Sequence, residues 1–271
     1  MTRTREYYRA QGYTNDYEWA HNTATPFTPL TKPISECRVG LITTSMPNIE
    51  SGRSSRQVYS TPVAPIPDSM YTDELSWHQS VTHTRDVASF LPLAQVVKLT
   101  DAGKIGGLTA NFHSLPTDYS QRNTNENDAP ELLRRLREDQ ADIAILVPLW
   151  PVCHQTVSLV ARYLEEHKIP TLIIGSALDI IESCGVPRFL YTDFPLGNPC
   201  GKPFDESMQL NIMKESLSLL ESAKKANTIG RSELIWSEDN AWRDNYAEVT
   251  ETNRAELARR GEARRNQQAM E

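Results

Sequence analysis

The chain carries four cysteines, Cys37, Cys153, Cys184 and Cys200, and one of them stands where a helix ought to begin. In Pro148-Leu-Trp-Pro-Val-Cys-His-Gln-Thr156, Pro148 closes an apolar run and Pro151 suits the first turn of a helix. Cys153 then falls in that first turn, where unpaired backbone N–H groups and the helix dipole favour an anion. A free thiol titrates near about 8.5, and such a position lowers it toward a reactive range, giving a nucleophilic thiolate without a basic partner. His154 is adjacent in sequence and does not share a helix face with Cys153, yet it is expected to tune or protonate groups around the sulfur. Thr156, three residues on, is expected to touch it. The competing explanation of Cys153 is a buried small hydrophobe.

Three further loops carry polar residues beyond the needs of a turn. Asp193-Phe-Pro-Leu-Gly-Asn-Pro-Cys-Gly-Lys-Pro203 is expected at the same sheet edge, with Cys200 able to resolve an oxidised or adducted Cys153. His113 to Asp128 is nearly all hydrogen-bonding side chains, of which Asp118, Tyr119, Asn125 and Glu126 are expected to orient a polar substrate. Asp128 with Glu131 reads as a capping box. The third loop, Thr43 to Gly52, adds Thr44 to the substrate-facing set, and His83 joins it from elsewhere. Cys184 and Cys37 read as structural. No Walker loop, G-x-G-x-x-G, CxxC or HExxH occurs, so this chain is expected to hold no cofactor and no dedicated metal. A mixed metal site from Cys153, His154, Cys200 and His83 stays open.

These loops need a scaffold, and the hydrophobic pattern supplies one. Arg38–Thr44, Ile105–Phe112, Ala141–Leu149, Ile169–Ser176 and Arg188–Thr192 read as strands. Several are near-continuous apolar runs, as in strands buried on both faces. Pro92–Gly103, Pro130–Gln140, Pro151–His167, Ala177–Cys184 and 204–226 read as helices. The alternation predicts an α/β fold, a parallel sheet with helices on both faces, Rossmann-like or flavodoxin-like. Residues 1–36 are expected to form an irregular arm, 37–226 the α/β domain, and 227–271 a charged helix or tail. In such sheets ligands bind beyond the carboxyl ends of the strands, where these loops lie.

The 28 Lys plus Arg against 35 Asp plus Glu leave a net charge of −7, which argues against nucleic acid as a partner. No apolar run is long enough to span a membrane. Few, scattered cysteines point to reduced thiols and a cytoplasmic location.

The strings Val81-Thr-His-Thr-Arg-Asp86, Thr117-Asp-Tyr-Ser-Gln-Arg-Asn-Thr-Asn-Glu-Asn-Asp-Ala-Pro130, Val147-Pro-Leu-Trp-Pro-Val-Cys-His-Gln-Thr156 and Asp193-Phe-Pro-Leu-Gly-Asn-Pro199 resemble the selenoprotein B family of glycine, sarcosine, betaine and D-proline reductases, with the nearest likeness to the D-proline type. The resemblance covers roughly residues 37–205. It implies reductive cleavage of a carbon–nitrogen bond in a small amino-acid-like or nitrogenous substrate. Cys153 takes the position of the family's selenocysteine. The resemblance further implies that a pyruvoyl group on a partner reductase subunit holds the amine and that a dithiol or thioredoxin-like reductant supplies electrons. A homo-oligomer is expected as well. Two other classes stand beside this reading: a non-catalytic binding or scaffold subunit, and a metal-assisted lyase or hydrolase using Cys153 and imidazoles.

Overall fold

A computed structural model describes residues 2–268 except 74, 76, 77, 118, 240 and 245. In chain order the helices are α1 (Thr2–Ala10), α2 (Glu50–Ser54), α3 (Leu93–Asp101), α4 (Gln121–Asn123), α5 (Ala129–Glu138), α6 (Pro151–Glu166), α7 (Leu178–Cys184), α8 (Glu206–Ser222) and α9 (Arg254–Gln268). The strands are β1 (Arg38–Thr43), β2 (Met46–Pro47), β3 (Tyr59–Pro62), β4 (Met70–Tyr71), β5 (Gly107–Leu108), β6 (Asn111–Ser114), β7 (Ile143–Val147), β8 (Thr171–Gly175), β9 (Arg188–Tyr191) and β10 (Thr228–Arg231).

Two compact units result, residues 20–238 and the two termini, 1–19 with 239–271. In the larger unit the main sheet runs β10-β9-β8-β7-β1-β6-β3, with β5 also on β1. All pairings are parallel except β3 on β6. With β5 and β6 taken as one interrupted strand, the parallel strands follow the order 2-1-3-4-5-6, a flavodoxin-like winding whose direction reverses between β1 and β7. The α/β expectation therefore holds, and the strand order favours the flavodoxin-like alternative.

Side-chain alternation sorts the core. Val39, Leu41, Ile143, Ile145, Val147, Leu172 and Ile174 face a layer with residues of α3 and α8. Ile42, Ala144, Leu146 and Ile173 face α5, α6 and α7. All five residues of β7 and of β8 are buried, as a strand covered on both faces requires.

The details differ from expectation in four places. The strand expected over Ile105–Phe112 is broken at Thr109-Ala110, because Thr109 turns its hydroxyl to the Asn111 carbonyl at 2.6 Å while its N–H bonds Val39 at 3.0 Å. The helical path expected from Pro130 begins earlier: Ser120 caps α4 through the Asn123 N–H at 3.1 Å, and a π-helical turn, Thr124–Asp128, leads into α5. Asp128 is therefore no cap; it pairs with Arg56 at 2.5 Å, and Glu131 turns to Arg134 and Arg135. Residues beyond 226 add β10 to the sheet, and residues 20–36 are not a loose arm. Ala20 N–H donates to Gln155 at 2.8 Å, and Thr28 bonds a buried ion pair, Glu165–Arg188, at the end of α6. In the terminal unit, α1 and α9 pack where the backbone of Gly261 meets that of Gln11, leaving no room for a Cβ.

Candidate active site

Thr44 and Cys153 lie at the switch between β1 and β7. β1 ends at Thr43 opposite Val147, and both chains leave the sheet there. Thr44 crosses the gap: its N–H donates to the Val147 carbonyl at 3.3 Å, and its Oγ1 accepts the Leu149 N–H at 3.1 Å. This tie holds the strand-to-helix turn that delivers Pro151 to the first helical position and Cys153 into the first turn of α6. The sulfur is fully buried. Thr117, in the segment after β6, meets Sγ through its hydroxyl at 3.2 Å. The Thr44 hydroxyl and the backbone of Trp150 and Leu149 also lie against it.

Here the structure corrects the expected thiolate. Burial pushes the Cys153 thiol up, and the surrounding hydroxyls and backbone oppose that rise without overcoming it. The sequence locates the helix start but not how completely the sulfur is enclosed, and desolvation of an anion outweighs a helix end.

His154 is a second correction. Its ring turns away from the sulfur toward the end of β8. Nδ1 donates to the Trp150 carbonyl at 2.8 Å, and Nε2 accepts the Ser176 and Ala177 N–H groups at 2.9 and 3.1 Å. The ring fits because residue 175 is glycine; a Cβ there would stand 2.7 Å from Nε2. Burial lowers the His154 pKa to about 4, so it is a neutral clamp on the α6–β8 junction and not a proton donor to the sulfur. Thr156 makes no hydrogen bond to Sγ either; its buried hydroxyl has no partner among the described residues, and the same is true of the Trp150 indole N–H.

Cys200 is the third. Its sulfur lies in the apolar layer with residues of α3 and α8, across the sheet from the helix layer to which α6 belongs. Its own N–H donates to the Ser89 carbonyl at 2.9 Å, and burial raises its pKa strongly. All four cysteines are free thiols. Cys184 is buried, with its pKa pushed up to about 12 chiefly by burial, and Cys37 is likewise buried and raised.

Of the expected substrate-facing residues, Thr44 is at the sulfur. Tyr119 sets its ring edge-on to Trp150 with centroids 6.1 Å apart, beside the site. Asn125 and Glu126 are exposed on the π-helical turn, where Glu126 pairs with Arg122 at 2.8 Å; the structure does not bring them to Sγ. His83 lies in another loop, its ring 5.8 Å from that of Phe204. Asp118 lies outside the described residues. The mixed metal site is not assembled: among the described residues, no group of three or more His, Cys, Asp or Glu could hold an ion.

Two residues carry more than the sequence reading assigned them. Thr117 is the hydroxyl at the sulfur, and its only signal was its place at the head of the string Thr117–Pro130. Asn198 joins two other strings: its side chain accepts from Thr82 at 2.6 Å and donates to Ser89 Oγ and the His83 carbonyl at 2.7 and 3.0 Å. Asp86 completes that clasp by accepting the Phe204 N–H and the Gln209 amide at 2.6 and 2.7 Å.

Buried neutral histidines make the fold acid-sensitive. His113 resembles His154: it is fully buried, its Nδ1 is 3.0 Å from Ser60 Oγ, and burial lowers its pKa to about 4. An unfolded histidine titrates near about 6.5. Between about pH 6.5 and 4 the unfolded chain therefore binds the extra protons, and stability present above that window is lost as pH falls through it. The expected loss is about 3 kcal/mol for each ring, read as a falling urea midpoint across the window. A midpoint constant over it would contradict the neutral assignment.

No family model matches the chain, and no solved structure matches it. The chain is similar to D-proline reductase subunit gamma of Acetoanaerobium sticklandii, with 26% identity over 208 residues, covering 75% of this chain and 86% of that subunit. The resemblance read from the four strings thus corresponds to a relative found across most of both chains. Among the described residues, no helix is long and apolar enough to cross a membrane.

Proposed function

We propose that this chain is a thiol-dependent reductase subunit that uses Cys153 to cleave a carbon–nitrogen bond in a small amino-acid-like or nitrogenous substrate. The observation that carries it is the place of the Cys153 sulfur, at the β1–β7 switch point with hydroxyls and backbone turned to it. The similarity to a D-proline reductase subunit supplies the reaction class.

Among the described residues the groups at Sγ are hydroxyls and backbone, which act on the sulfur and not on a substrate amine. This fits a division of labour in which a pyruvoyl carbonyl on a partner subunit anchors and activates the substrate amine. On this side Sγ bonds the α-carbon, and the Cys153 proton passes to the departing nitrogen. The Cα–N bond breaks, and its electron pair leaves on nitrogen, which takes up that proton. A dithiol then attacks Sγ: the Sγ–Cα bond breaks, the carbon is protonated, and a mixed disulfide forms. The second thiol of the reductant releases Cys153, so the dithiol is oxidised and the substrate gains two electrons. The buried placement of Cys200 supports an external reductant over an internal resolving thiol.

Full burial of Sγ favours a second reading, a non-catalytic subunit that keeps the pocket without turnover. One assay separates the two. The chain, purified with whatever subunits accompany it from its own cells, is supplied with D-proline and a dithiol. Dithiol-dependent ring opening to a primary amine is expected. Intact D-proline, with dithiol consumption at the background rate, would favour the scaffold reading.

A further inference from the structure

We propose that Thr44 and Thr117 are positioning residues whose two hydroxyls donate to the Cys153 sulfur and ease its ionisation against burial, in place of the basic side chain that thiol enzymes commonly use. The inference rests on the nucleophilic reading of Cys153 and goes beyond it, because it says what makes the anion tenable.

The Thr44 oxygen already accepts the Leu149 N–H at 3.1 Å, so its own proton is free to point elsewhere, and Sγ is the polar atom it faces. Thr117 Oγ1 is 3.2 Å from Sγ, within the range of a hydroxyl donating to sulfur, and a hydroxyl proton rotates to suit its acceptor. The two threonines come from different strands' ends, β1 and β6, and approach the sulfur from separate elements. Hydrogen bonds to the charged form lower a pKa, and here they work against burial.

The backbone of Trp150 and Leu149 gives the same kind of help. Among the described residues no basic side chain is hydrogen-bonded to Sγ. Several titratable groups on and against α6 are engaged elsewhere. His154 is bonded to the Ser176 and Ala177 amides, Asp128 to Arg56 and Glu126 to Arg122. Tyr119 meets the Trp150 ring, and the pull of Asp179 is on His154. Glu165 is held by Arg188 at the far end of the helix.

The test is the pH dependence of Cys153 alkylation by iodoacetamide in the full chain, read peptide by peptide by mass spectrometry. Thr117→Val and Thr44→Val are each expected to move the midpoint of the rate–pH curve up by about one unit, so that the rate below the midpoint falls about tenfold. Thr117→Ser and Thr44→Ser are expected to restore the wild-type midpoint. Thr44 also holds the Leu149 N–H, and its valine variant risks misfolding. Thr117 is half-buried with no such second bond among the described residues, so Thr117→Val decides the matter alone. A valine variant whose plateau rate changes while its midpoint stays would show a mere cover over the sulfur and overturn the proposal. Failure of wild-type Cys153 to react faster than Cys37 and Cys184 at any pH would overturn the nucleophilic reading itself, and this inference with it.

Discussion

Replacing Cys153 with alanine is expected to lower reductive turnover by at least about 10³-fold while the protein stays folded. The cleavage step needs a soft nucleophile that can bond carbon and then be displaced by a second thiol. Neither neighbour can substitute. The His154 ring is committed to backbone on both nitrogens, and the Cys200 sulfur lies in the opposite apolar layer. Loss of one buried sulfur leaves a small void, a cost of about 1 kcal/mol by large-to-small precedent. The control is Cys200→Ala, expected to keep turnover within about twofold of wild type, because its sulfur meets only core. Turnover assays of both variants, with thermal melts alongside, check this. Full activity in Cys153→Ala would remove the nucleophile from the account.

The largest stability effect is expected from Arg188. Its guanidinium and the Glu165 carboxylate meet at 2.6 Å, both side chains fully buried. Glu165 also accepts the Thr171 N–H and hydroxyl at 2.6 and 2.9 Å, and the Thr28 N–H. Arg188 returns a bond to the Thr28 carbonyl at 2.6 Å and lies over the Phe27 ring at 4.1 Å. The pair therefore fastens residues 27–28 to the α6–β8–β9 junction. Arg188→Met leaves a carboxylate buried without its counter-charge, which is expected to cost about 3–5 kcal/mol in urea unfolding. Adding Glu165→Gln is expected to recover part of that loss, because the stranded charge is then gone. A single variant as stable as wild type would contradict the clasp.

The parallel sheet was legible because Ile143–Val147 and Thr171–Gly175 are short apolar runs that only a strand covered on both faces accommodates. Strand order was less legible: the reversal between β1 and β7 depends on which edge each crossover takes, and that leaves no mark in hydrophobic spacing. The site divided in the same way. Pro151 announced the helix start and placed Cys153 in its first turn, since proline at that position acts through local backbone geometry. Thr117 escaped notice because its contact with residue 153 is made across the fold by a loop. The orientation of His154 depended on the missing Cβ of Gly175, and the burial of Cys200 on the packing of α3 and α8. Each is a tertiary fact. The helical turn before α5 was hidden by a polar string that reads as a loop, though Ser120 is a sound capping residue.

The central claim is that the Cys153 sulfur bonds substrate carbon during turnover. Peptide mass spectrometry of the native complex, quenched while turning over D-proline with limiting dithiol, reads this directly. The account predicts the mass of the ring-opened substrate on the peptide containing Cys153, lost again when more dithiol is added. Turnover with that peptide unmodified, or with the adduct on Cys200, would contradict it.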